Sequence, residues 1–132
     1  MRRRAWLAAL ALPALARAQA PWTDKPVRIV VPFTPGGSTD ILARSIAQPL
    51  GEAFGQPFVI ENRADAGGTV GCEAVARAAP DGQTILMGVT GLLSTNPHIY
   101  RNMGFDPGRD LAPVSLAYTC LLYTSPSPRD RG

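Results

Sequence analysis

The sequence predicts an α/β fold in which helices cover a parallel sheet, and three observations carry that expectation. From Lys25 onward, short apolar and β-branched runs alternate with segments of helical periodicity, the pattern of βαβ units. Glycine and proline, 13 of each, fall between those runs instead of collecting in one tract, which marks turns. Hydrophobic residues make up 45% of the 132-residue chain and charged residues 17%, enough for one small core and too apolar for wholesale disorder.

The elements follow in order. Residues 27–33 (VRIVVPF) are nearly all apolar or β-branched, as a strand buried on both faces should be. Thr34-Pro35-Gly36-Gly37 breaks that run. Residues 38–54 then place Ile41, Leu42, Ile46, Leu50 and Phe54 at helical spacing. Ser38 or Thr39 is the candidate N-cap, Asp40 suits the positive first turn, and Pro49 is a blemish because it removes a backbone bond. A second strand fits 58–61 and a loop 62–68, with a helix from Thr69 to about Ala79. Pro80-Asp81-Gly82 is a turn and 84–89 (TILMGV) a third strand. Residues 90–110 show no sustained period apart from one helical turn near 97–100, and a fourth apolar stretch spans 112–118.

Residues 1–20 read as an export signal. Arg2 to Arg4 form a charged start, residues 5–16 an apolar run, and Ala18-Gln19-Ala20 a small-x-small cleavage site after Ala20. An apolar run of this length falls short of the roughly 20 residues that span a bilayer. Export predicts a periplasmic location, where a disulfide could form. None is expected, because Cys72, between Gly71 and Glu73 at a helix start, reads as a small buried side chain.

The formal charge of +3 does not indicate nucleic acid. Four of the 13 basic residues lie in the signal, so residues 21–132 carry nine basic against ten acidic side chains. No basic stripe remains to neutralise phosphates.

Right-handed crossovers place the second strand on one side of the first; with the third on the other, the strand order is 2-1-3. Ligands gather in the crevice at such a switch point. Residues 34–40 and 90–96 would line it, flanked by 64–69. Gly36, Gly37, Gly67 and Gly68 leave backbone N–H groups open just before two helices, so partial positive charge converges there. Ser38, Thr39, Thr69 and Thr90 add hydroxyls without a Lys or Arg, which suits a carboxylate. The same residues also serve as ordinary turns and caps.

An enzyme is hard to staff. The one histidine, His98, sits on a Pro-flanked turn; no Gly-x-Ser-x-Gly elbow, P-loop ending or zinc-ligand set is present. No catalytic residue, metal or cofactor is expected.

Lys25-Pro26-Val27-Arg28 leading into VVPFTPGGSTD (30–40), then GQPFVIENR (55–63), AGGTVG (66–71), APDGQTILMG (79–88), NPHIY (96–100) and FDP (105–107) resemble the Bug-type extracytoplasmic solute receptors. These are the substrate-binding proteins of tripartite tricarboxylate transporters. The resemblance implies a periplasmic-binding-protein-like lobe, type II-like and here incomplete, in a receptor of two lobes that close on a small carboxylate. Carried over by position, Pro35, Gly36, Gly37, Ser38 and Thr39 line the ligand and Asp40 holds the loop; Gly67, Gly68 and Thr69 match the second loop, and Thr90 the end of strand three. The implied partners are membrane transporter subunits, with the full-length receptor monomeric. Departures are Thr34 where many members have a second proline, His98 at a position more often small or polar, and Ala64-Asp65 in place of the more usual Pro-Gly.

Family members continue well past this length, so residues 21–119 correspond to the N-terminal part of the first lobe, a fragment not expected to function alone. Residues 120–132 (CLLYTSPSPRDRG) depart from the pattern and read as foreign or disordered. Two other functions fit the same scaffold: a receptor signalling to a membrane partner, and an exported α/β enzyme.

Overall fold

The computed structural model describes residues 24–65 and 67–119; the expected export signal, residues 1–20, and the 120–132 segment lie outside them. Three parallel strands form one sheet in the order β2-β1-β3, the order expected with the third strand across the first from the second. β1 (Val27–Val31) is central, with β2 (Phe58–Asn62) on one side and β3 (Thr84–Leu86) on the other. Ile29 stands opposite Ile60 and Ile85, fixing both registers.

Sandwiched between two neighbours, β1 is the core: Val27, Ile29, Val30 and Val31 are buried. Arg28 is its exposed residue, and its guanidinium reaches Glu61 at 3.4 Å and the Thr84 hydroxyl at 3.2 Å. Helix α1 (Ser38–Phe54) covers Ile29 and Val31 with Ala43, Leu42, Ile46 and Ala47. Helix α2 (Thr69–Ala76) packs against β3 and β1, on the other face as right-handed crossovers dictate.

Several boundaries differ from expectation. α1 is capped by Gly37 in extended conformation, without a side-chain cap. Ser38 and Thr39 are therefore already helical, and Asp40 in the first turn reaches back to the Gly36 N–H at 2.9 Å. The helix runs on through Pro49, which is exposed, so water can take the backbone bond that it removes. α2 stops at Ala76, not Ala79, because Ala79 precedes Pro80, which disfavours a helical conformation there. β3 ends at Leu86, although the Met87 N–H still reaches Val30 O at 2.9 Å.

Residues 90–110 hold more helix than their composition suggests. A π-helical turn, Gly91–Thr95, runs into α3 (Asn96–Ile99), and α4 (Pro107–Asp110) follows. The apolar stretch at 112–118 forms no strand. Val114 and Leu116 are 84% and 80% exposed; β-propensity without a ladder partner and a covering face does not make a strand.

Candidate functional site

The parallel sheet sends the loops after β1, β2 and β3 to one edge. Glycine lets them meet. Gly68 has φ of +75°, and a Cβ there would stand 3.2 Å from the Pro32 carbonyl oxygen and collide with the Leu92 side chain. Gly71 lies equally close, with its hypothetical Cβ 2.9 Å from Pro32 Cβ. The segment after β3 closes from the far side, where Asn96 Nδ2 donates to the Gly67 carbonyl at 3.1 Å.

The first loop is held by a buried acid. Asp40 is 2% exposed; its Oδ2 accepts from the Gly36 N–H and from Arg44 Nε at 3.0 Å, and its Oδ1 accepts from Asn62 Nδ2 at 2.8 Å. Asn62 Nδ2 also donates to the Phe33 carbonyl at 3.2 Å, while Arg44 Nη2 donates to Asn62 Oδ1 at 3.2 Å. Arg44, then the Gly36 N–H, then Asn62 hold the Asp40 carboxyl far below the usual carboxylate range. Charge-assisted bonds of this kind favour the ionised form. With Asp40 turned inward, Pro35, Gly36, Gly37 and Ser38 remain exposed, whereas Thr39 is buried. The N–H groups of Ser38 and Thr39 meet no acceptor among the described residues.

The second loop is arranged differently. Asp65 Oδ2 accepts from the Thr69 N–H at 3.2 Å and from its hydroxyl at 2.9 Å. The Gly67 N–H donates to the Asp65 main-chain oxygen at 2.8 Å. Asp65 Oδ1 is buried without a partner. Nearby Cys72 is fully buried and unpaired; burial, and after it the Asp65 charge, push its thiol up to about 12, so it is no nucleophile at neutral pH.

The sheet edge thus gathers the loops of all the sequence-predicted residues. Thr90, exposed at the start of the π-helical turn, is reached through its neighbours Leu92 and Asn96. His98 is exposed on α3. Two surface grooves border these loops, one running between α1 and β2 from Arg44 past Gly51, Phe58 and Ile60, the other beside Tyr100, Met103 and Phe105. Sequence reasoning missed Arg44 and Asn62 as members of the edge, and it gave Asp65 and Asn96 no role within the segments that it placed there. Arg44 had a readable signal, its i,i+4 spacing from Asp40.

A three-stranded parallel sheet with glycine loops converging at one edge is the frame of a periplasmic solute-binding lobe. The solved structures bear this out. MatC from Rhodopseudomonas palustris with bound malate aligns with a TM-score of 0.68 and 39% identity, covering 71% of this chain and 32% of that one. R. palustris Rpa4515 with adipate gives 0.63 and 47%, covering 66% and 29%. Residues 42–129 match the TctC family, described as the tripartite tricarboxylate transporter family receptor. The chain belongs to this family. A UPF0065 protein of Bordetella pertussis is 42% identical over 124 residues, 92% of this chain and 38% of its own length. BugT of the same organism is 41% identical over 93 residues, 70% of this chain and 28% of its own. The chain therefore spans well under half the length of these relatives. Family and neighbours are solute-binding receptors, not enzymes.

Proposed function

We propose that the chain forms the N-terminal part of the first lobe of a periplasmic receptor that binds a small carboxylate and delivers it to the membrane subunits of a tripartite transporter. The observation that carries this reading is the start of α1. Asp40 is turned inward onto Gly36, Arg44 and Asn62, which leaves the Ser38 and Thr39 N–H groups without an acceptor among the described residues at the positive end of a 17-residue helix. Pro35, Gly36, Gly37, Ser38 and Thr39 would face the ligand from that side, and Gly67, Gly68, Thr69 and Thr90 from the other loops. The relatives solved with adipate and malate support a carboxylate.

A thermal-shift screen of mono- and dicarboxylates on the complete receptor carrying this lobe tests the reading. A raised melting temperature with at least one acid is expected; no response across the panel would refute it. Export follows the same proposal, with residues 1–20 removed. Mass spectrometry of periplasmic material should give Pro21 as the first residue, and a retained Met1 would count against it.

A further inference from the structure

Asp65 occupies the second of the two helix starts that meet at this sheet edge. The donors that open α2, the Thr69 N–H and hydroxyl, are turned onto its Oδ2. The Gly67 N–H is engaged by its main-chain oxygen. Its Oδ1 is buried with no hydrogen-bond partner, so part of this carboxylate's charge is answered neither by a donor nor by solvent. The acid of the first loop is the opposite case. Asp40 is compensated by Arg44, Asn62 and Gly36, and the start of α1 stays open.

We infer that Asp65 sets the ligand class of this receptor: a molecule with one carboxylate at the start of α1 and a neutral or hydrogen-bond-donating group, not a second carboxylate, at the start of α2. The inference rests on the carboxylate-receptor reading and sharpens it. A dicarboxylate reaching both loops would bring its second charge beside Asp65, and repulsion between like charges grows as a closing crevice excludes water. An amide or hydroxyl group would instead bring a donor to a region rich in carboxylate oxygen. Specificity here comes from a repulsive element, which a list of attractive contacts would miss.

The test is calorimetry on the complete receptor carrying this lobe, with adipate, malate and the monoamide of each as probes. Each diacid with its own monoamide forms a pair matched in length. In at least one pair the monoamide should bind about tenfold more tightly than the diacid. Asp65→Asn should remove the preference by tightening the diacid. Asp65→Ser provides a second neutral variant with an oxygen for the start of α2, and thermal melts establish which variant is folded. Diacids binding the unaltered receptor as tightly as the monoamides, or a preference that survives neutralisation of Asp65, would overturn the inference. Asp65 would then only cap α2, and the carboxylate reading would stand. No binding of any probe by the unaltered receptor or the variants would remove that reading and the inference together.

Discussion

Asn62 Nδ2 donates to Asp40 Oδ1 at 2.8 Å across 22 residues of chain, and the same amide holds the Phe33 carbonyl at 3.2 Å. The last residue of β2 therefore sets the loop that leaves β1 and the first turn of α1. A side chain outside the proposed ligand contacts fixes the geometry of the candidate site.

Asn62→Ala leaves the Phe33 carbonyl and one Asp40 oxygen without a donor. Losing a partner of a part-buried acceptor costs about 1–3 kcal/mol, and more when the acceptor is charged. Urea denaturation should show a loss in that range. An unchanged midpoint would mean that water replaces the amide and that Asn62 positions nothing.

Asp40 also gives stability an acid limb. Its native pKa is depressed below the ordinary value of 3.8, so near and below that value the unfolded chain binds protons that the native chain does not. Stability therefore rises with pH there. The contribution is present above the unfolded pKa and is lost as pH falls toward the native one. Asp40→Asn should flatten the limb, measured as urea midpoints at about pH 3 and about pH 7. A variant with the same acid slope as the unaltered chain would show that other carboxylates cause it.

Local and periodic features were legible in the sequence; contacts between distant residues were not. α1 was expected at 38–54 and is found there, because its apolar spacing and the flanking Gly-Gly and Gly55 act within a few residues. Strand order 2-1-3 followed from crossover handedness together with the placing of the third strand across the first from the second. Gly37 as the cap was missed because Asp40 turns back to Gly36, a choice that composition does not reveal. Asn62 and Asp65 stand in loop-like sequence where Asn and Asp usually mean turns. What they do depends on partners brought to the edge by the sheet. The apolar stretch 112–118 forms no strand for the converse reason: its local pattern suits one, but no described element pairs with it.

The glycines separate backbone strain from crowding. Gly36 has φ of +86° with nothing within 4 Å of a Cβ, whereas Gly68 combines φ of +75° with Leu92 and Pro32 in the way. Gly36→Ala should cost about 1–2 kcal/mol for the left-handed backbone. Gly68→Ala should cost distinctly more, since overpacking adds to the strain. Thermal melts that rank the two in reverse would show that the three loops are less closely packed than described.

Gly37 is the position where fold and ligand can be told apart. Its backbone is extended, with φ of −73° and ψ of 166°, which any residue adopts. A Cβ there would meet only Thr34 O at 3.6 Å, an ordinary contact. Nothing in the lobe therefore demands glycine. If the start of α1 cradles a carboxylate, a branched side chain at the cap stands where the ligand must approach the Ser38 and Thr39 N–H groups. In the complete receptor carrying this lobe, Gly37→Val should melt within a few degrees of the unaltered protein, yet lose carboxylate binding in calorimetry. Unchanged affinity would mean that the ligand is held elsewhere along the sheet edge and that the Gly36-Gly37 turn only starts a helix. Lost affinity with a collapsed melt would instead show that the cap is part of the fold.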